Sequence, residues 1–268
     1  MSQSSPVTAL AARVASGEFT TLAWCSMAEP AVAELLVREG FDAGMLDMQH
    51  GASDMVSAMA GISAVTLAGK PCVVRIPVGH FSTASRLLDM GAAGVIAPMI
   101  NSLADARAFA SFMKLPPMGE RSWGPSRALA LTGMDMPAYL REANRFHLAI
   151  AMIETREAIS ALDDILAVPG IDGVFVGPSD LSIALSNGRS IDPNAKDVDA
   201  ALDHICARAK AHKKFAAAFC FTGKKANELR LRGYTMCSVA TDAILLKAAA
   251  RVFIAEMKTA GRYQADVY

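Results

Sequence analysis

The chain has 268 residues, 53% of them hydrophobic, and its 26 lysines and arginines are balanced by 26 aspartates and glutamates. That balance argues against an electrostatic affinity for nucleic acid or an anionic membrane. No apolar run approaches the ~20 residues of a bilayer span, so the high hydrophobic share fits strands buried on both faces. Arg13 and Glu18 interrupt the one stretch that would serve as a signal-peptide core, and no secretory leader is expected. The five cysteines (Cys25, Cys72, Cys206, Cys220, Cys237) are scattered, with no Cys-x-x-Cys. All fall in strand or helix patterns, which suits a reducing cytoplasm better than a disulfide framework.

One rhythm runs through the chain. Residues 22–27 read as a strand, and Pro30 opens a helix that ends near Glu39-Gly40. Residues 43–48 form the second strand, with a helix over 54–67. The third strand, 71–77, is followed by a helix over 82–90, and the fourth, 94–100, by one over 103–114. An insertion over 115–144 holds the loop Pro116-Pro-Met-Gly-Glu-Arg-Ser-Trp-Gly-Pro125 and a helix over 136–143. The fifth strand (147–153) leads to a helix over 158–168, and the sixth (173–177) to Pro178-Ser179-Asp180-Leu181. A helix over 198–212, the seventh strand (215–221), a helix over 225–231, the eighth strand (236–240) and a helix over 242–257 complete it.

Eight strands, each followed by a helix, predict a single (β/α)8 TIM barrel spanning residues 1–268. The strand runs are continuous rather than alternating, as central parallel strands should be. A doubly wound open sheet would carry a glycine-rich phosphate turn after its first strand, and Trp24-Cys-Ser-Met-Ala28 has none.

Chemistry on a barrel gathers where strands end. Trp24 ends the first strand, Asp47-Met48-Gln49-His50 the second, Arg75 the third, Glu154 the fifth and Ser179-Asp180 the sixth. An imidazole, a guanidinium and two carboxylates thus converge on one mouth. Neighbouring fifth and sixth strands set Glu154 and Asp180 side by side, and two hard oxygen ligands there, with water, suit a Mg²⁺- or Mn²⁺-type ion. An acid after a strand serves equally as a helix N-cap or first-turn charge, and the pattern alone leaves both open. His50 serves equally as a loop histidine bonded to a carbonyl, and Arg75 as a tie between loops, although an arginine emerging from an apolar strand wants an anion; Asp89 is by default a solvated helix-end charge. The loop Gly119-Glu-Arg-Ser-Trp-Gly124 has the loose glycine spacing of an anion-cradling turn.

Several ordered motifs carry a resemblance. They are Gly40-Phe41-Asp42 leading to Asp47-x-Gln49-His50, Val73-Val-Arg75-x-Pro77, Arg86-Leu-Leu-Asp89-x-Gly91 and Pro98-Met99. Pro116-Pro117-x-Gly119-x-Arg121, Ile153-Glu154-Thr155 and Asp172-Gly-Val-Phe-Val-Gly-Pro-Ser-Asp-Leu181 complete the set. From about Trp24 to Ala250 the chain resembles the HpcH/HpaI aldolases, metal-dependent class II pyruvate aldolases of 4-hydroxy-2-oxo acids and 2-dehydro-3-deoxy sugar acids. The resemblance implies that Glu154 and Asp180 hold Mg²⁺, Mn²⁺ or Co²⁺, which binds pyruvate through its carboxylate and keto oxygens. It implies His50 as general base paired with Asp89, and Arg75 as the residue steadying the keto or enolate oxygen. It gives the Ser179 and Asp180 amides as a carboxylate-binding pair, with Trp24, Gln49 and Met152 also at the substrate. It further implies homo-hexamers, trimers of dimers with an exchanged terminal helix.

Three positions depart from the family. Gln49 stands where many members have glutamate, and Met152 where members often have glutamine. Arg121-Ser122-Trp123-Gly124 replaces a more glycine-rich loop and is expected to narrow the mouth. The alternatives are a CoA-ester lyase of the citrate lyase β-subunit type and a non-catalytic barrel that binds a metal and a 2-oxo acid. A Schiff-base aldolase would need a lysine at the mouth, where only Lys224 and Lys225 are placed to compete.

Overall fold

A computed structural model of the chain describes residues 5–260. Eight parallel strands close in chain order: β1 (Thr20–Cys25), β2 (Ala43–Asp47), β3 (Cys72–Arg75), β4 (Gly94–Ala97), β5 (Leu148–Ile153), β6 (Gly173–Val176), β7 (Phe215–Cys220) and β8 (Met236–Thr241). Pairing of β8 with β1 completes the (β/α)8 barrel expected from the sequence. The helices are α1 (Pro6–Ser16), α2 (Pro30–Arg38), α3 (Met55–Leu67), α4 (Phe81–Asp89), α5 (Leu103–Met113), α6 (Ser126–Thr132) and α7 (Met136–Phe146). Then follow α8 (Arg156–Ser160), α9 (Leu162–Ala167), α10 (Pro178–Leu185), α11 (Lys196–Ala211), α12 (Gly223–Arg232) and α13 (Asp242–Ala260).

Both faces of the sheet are buried, which is why the strands read as unbroken apolar runs. Leu22 and Trp24 of β1 point into the barrel interior with Met45, Val73, Ile150, Met152 and Phe175. Ala23 and Cys25, one residue out of phase, belong to the layer between sheet and helices. This period of two is that of any strand; here each phase finds apolar partners.

Four helical features differ from the sequence expectation. Helix α1 was not foreseen: Ser5 caps its Val7 amide, Gly17 ends it in the left-handed region at φ 75°, and Leu10 packs with the barrel interior. Arg13 on this helix bonds Asp42 at 3.0 Å, tying it beneath β2. The helix expected over 158–168 is two short helices meeting at Ala161. The insertion contains α6 as well as α7, and α10 follows β6 directly.

The helices return antiparallel to the strands, so every helix-to-strand connection lies at the barrel's N-terminal face. Asp89 ends α4 there, and the loop between α5 and α6 meets it: Arg121 Nη2 donates to Asp89 Oδ1 at 2.6 Å. Gly124 packs against the same carboxylate. Asp89 is therefore no solvated helix-end charge. The loop Gly119–Gly124 does not narrow the mouth of its own barrel, because an α-to-β connection lies at the opposite end from the strand tips.

The same end holds a buried polar cluster. Lys114, fully buried, donates to the Asn144 and His147 carbonyls at 2.8 and 2.7 Å and to Asp172 Oδ2 at 2.7 Å. His147 bonds the Ala92 carbonyl through Nδ1 at 3.1 Å and the Tyr139 hydroxyl through Nε2 at 2.8 Å. Burial, followed by the charges of Arg121 and Lys114, holds the His147 imidazole well below its usual pKa and keeps it neutral. Lys114→Met leaves Asp172 without its cation and should cost about 3 kcal/mol in denaturant unfolding. His147 takes up a proton only on unfolding, so its contribution is present above the unfolded pKa of about 6.5 and is lost as pH falls below it. His147→Gln should accordingly flatten the stability profile between pH 7 and 5, measured by urea melts.

Candidate active site

The register of β2 and β3 places Asp47 directly beside Arg75 at the C-terminal face. Arg75 Nε and Nη2 donate to the two Asp47 oxygens at 2.9 and 2.6 Å, a bidentate pair with both partners buried. The guanidinium carbon lies 4.7 Å from the centroid of the Trp24 ring, and Trp24 Nε1 donates to Asp47 Oδ2 at 3.3 Å. Asp47 Oδ1 also accepts the Gln49 and His50 amides at 3.0 and 3.3 Å, which fixes the turn carrying His50. Burial pushes the Asp47 carboxyl up, but the hydrogen bonds and charge of Arg75 together with those two amides hold it below the usual carboxylate range. Among the described residues Arg75 Nη1 meets only the Met152 sulfur, at 3.9 Å, and keeps donor capacity.

A cavity of about 250 Å³ opens above this pair. Of the residues expected at a site, Trp24, His50, Arg75, Met152, Ser179 and Asp180 line it. Ser179 and Asp180 sit in the first turn of α10, where the N-cap is Gly177 and no side chain caps the helix, so their amides have no acceptor within the helix. Gln49 does not line the cavity, and its buried Oε1 has no partner among the described residues. Asp89 lies at the other end of the barrel, so one chain does not bring it to His50. The His50 ring has no hydrogen-bond partner among the described residues.

Glu154 lies directly beyond β5, whose Ile153 pairs with Val176 one residue before Gly177. It is 2% exposed. Its Oε1 accepts the Met99 amide at 2.8 Å, from a backbone held at φ 55°, a left-handed conformation that costs a non-glycine residue about 1 kcal/mol or more. Its Oε2 fills the space a Cβ on Gly177 would need, 2.7 Å away. Burial pushes the Glu154 carboxyl up to about 7; the Met99 amide opposes this, the Asp180 charge adds to it, and Arg75 opposes it.

Two carboxylates at neighbouring strand ends, one of them desolvated and resisting ionisation, stand together at this face. The donor set is oxygen only, and no group of three or more His, Cys, Asp or Glu suited to a metal occurs among the described residues. Such a pair fits a hard dication whose remaining positions go to water and substrate oxygens. The lysine alternative has no support in the geometry: no lysine lines the cavity. Partial burial lowers the Lys225 pKa, but its bonds to Asp199 (3.0 Å) and Glu228 (3.2 Å) outweigh that and raise it, the reverse of what an amine nucleophile needs.

Asp47 is the participant that the sequence left unassigned. Its signal was present, an acid at a strand tip beside a neighbouring strand's terminal arginine, but only the register turns that into a pair.

Comparison with known proteins gives the family. The sequence profile of the HpcH/HpaI aldolase/citrate lyase family matches residues 20–249. The chain is 38% identical to a hydroxypyruvate/pyruvate aldolase of Rhizorhabdus wittichii, over 88% of this chain and 92% of that protein. It is 36% identical to a 4-hydroxy-2-oxovalerate aldolase of Novosphingobium aromaticivorans, over 76% of this chain and 79% of that one. A solved HpcH/HpaI aldolase/citrate lyase family protein from Burkholderia cenocepacia matches with a TM-score of 0.84 at 29% identity, covering 94% of this chain and 99% of that one. The chain belongs to the HpcH/HpaI aldolase/citrate lyase family and is a carbon–carbon lyase built on a (β/α)8 barrel.

Proposed function

We propose that the chain reversibly cleaves a 4-hydroxy-2-oxo acid into pyruvate, or a close 2-oxo acid, and an aldehyde. The observation that carries this is the clamped Arg75, which keeps one donor free in the cavity lined by Asp180 and Gly177, with the Glu154 carboxylate packed directly against Gly177. Glu154 and Asp180 would hold Mg²⁺, Mn²⁺ or Co²⁺, and a divalent ion there supplies Lewis-acid polarisation of the ketoacid. The Ser179 and Asp180 amides would bind the ketoacid carboxylate at the helix N-terminus. Breaking the C3–C4 bond leaves negative charge that delocalises onto the C2 oxygen. Arg75 Nη1 stabilises that charge without reorganising, because Asp47 already fixes the guanidinium. His50, at the rim, takes the 4-hydroxyl proton as the bond breaks. Five buried free thiols support a reducing, cytoplasmic setting.

Pairing of His50 with Asp89 requires a second copy of the chain, which would present the Asp89–Arg121 end of its barrel to this mouth. The last helix favours assembly: Val252, Phe253 and Met257 of α13 are 55, 70 and 62% exposed. An isologous or ring assembly would cover that face, and the hexamer with exchanged terminal helices is the arrangement we favour.

Pyruvate release from a panel of 4-hydroxy-2-oxo acids should disappear with EDTA and return with Mg²⁺ or Mn²⁺. Borohydride with pyruvate should label no lysine; an adduct on Lys224 or Lys225 would refute the metal route. Arg75→Ala should slow both cleavage and solvent exchange of the pyruvate methyl protons by about a hundredfold or more. His50→Ala should slow cleavage by roughly a hundred- to ten-thousandfold. If the two halves of the dyad come from different copies, co-refolding His50→Ala with Asp89→Ala should give mixed oligomers more active than either parent. Absence of any gain, with mixing confirmed by native mass spectrometry, would reject the shared site.

A further inference from the structure

We infer that the aldehyde half of the substrate is uncharged and apolar, an aliphatic or aryl aldehyde, and that Phe219, Phe221 and Ile244 select it. The inference rests on the aldol reading above and concerns the half of the cavity that the ketoacid does not occupy.

Strand order divides the mouth. The carboxylate pair stands over β5 and β6, so the ketoacid occupies that side. The wall over β7, β8 and β1 remains for the aldehyde. That wall is Phe219, Phe221, Thr241, Ile244 and Trp24, with Ser26 just beyond β1. The rings form a stepped series: Trp24 and Phe219 meet edge to face at 5.1 Å between centroids, and Phe219 and Phe221 at 4.9 Å. Phe221 and Ile244 remain 45 and 39% exposed at the opening, with apolar surface available to a bound chain. Behind Pro178, Phe219 and Phe221 a second crevice of about 70 Å³ continues the apolar path, lined by Pro193, Leu202 and Leu229.

The charges exclude an acidic aldehyde. Arg75 is offset by Asp47 at 2.6 Å. Lys225, beside the second crevice, is held by Asp199 and Glu228. A dication would be offset by Glu154 and Asp180, and the ketoacid then adds its own carboxylate. A remote carboxylate on the aldehyde would enter an already anionic cavity and lose its water against phenyl rings, and the cavity lining holds no lysine and no arginine besides the Asp47-paired Arg75. An alkyl or aryl group gains from the same surroundings.

The test compares two isosteric acceptors, 4-methylpentanal and succinic semialdehyde, in aldol synthesis with pyruvate and Mn²⁺. The expected kcat/KM ratio favours 4-methylpentanal by about tenfold or more, the scale on which an apolar pocket discriminates. Phe221→Arg, which places a cation on exposed surface, should move the ratio several-fold toward the semialdehyde, and Phe219→Leu should weaken the preference for the alkyl aldehyde. Equal or better use of succinic semialdehyde by the unmodified protein overturns the inference, as does a ratio that neither substitution moves. Methyl-proton exchange of pyruvate, measured without aldehyde, reports on the aldol reading separately. Should exchange be absent, Trp24 fluorescence in a Trp123→Phe background still decides: quenching at lower concentration by 4-methylpentanal supports the apolar site, and equal or weaker quenching overturns it.

Discussion

The buried ion pair between Arg75 and Asp47 is the constraint on which the mouth of the barrel depends. Taking two charges out of water costs several kcal/mol each, and the pair offsets this through bidentate geometry, two backbone amides on Asp47 and an indole face beside the guanidinium. Parallel register makes the arrangement possible, since adjacent strand tips bring the two side chains together without a loop. The pair fixes a cation at the floor of the cavity and also anchors the turn bearing His50. Removing Asp47 would therefore do more than lose a contact, because it would leave a buried guanidinium uncompensated and release that turn.

The two ends of the barrel use buried polarity differently. At the strand tips, polar groups are left partly unsatisfied: Arg75 has a spare donor, Glu154 resists ionisation, and the α10 amides are uncapped. At the other end, Lys114 finds three acceptors and His147 is bonded through both ring nitrogens. Satisfied networks hold an end rigid, and unsatisfied ones are where a ligand adds most. Arg121 falls between these cases, since it is buried against Asp89 with Nε and Nη1 unpartnered among the described residues.

The fold was legible because its signals are local and repeated. Buried parallel strands need continuous apolar runs, and helices punctuate them at a regular interval. Helix α1 escaped notice since its buried stripe is only Val7 and Leu10 among alanines, although Ser5-Pro6 and Gly17 marked both ends. Most of the cavity lining was also readable, as strand tips carry it. What the sequence hid was three-dimensional pairing. Asp47 read only as one residue of a strand end until register set it beside Arg75. Asp89 and the Arg121–Gly124 loop were associated with the mouth by family likeness, whereas chain direction puts both at the far face. The apolar character of Phe219 and Phe221 was visible, but it read as strand core until the curvature of the barrel brought their rings around to the opening.

Gly177 shows how much of a site can reside in an absent atom. Its backbone is extended and needs no glycine for conformational reasons; what matters is that Glu154 Oε2 and the Met152 terminal methyl occupy the volume a β-carbon would fill. The side chain with nothing to contribute chemically thus sets the rotamer of a reactive acid one strand away. A survey of variants scored by charge or hydrogen bonding would pass over this position. Selection would not, because the smallest possible enlargement there would turn the carboxylate aside and mimic loss of the acid itself, with every functional group in the cavity still present.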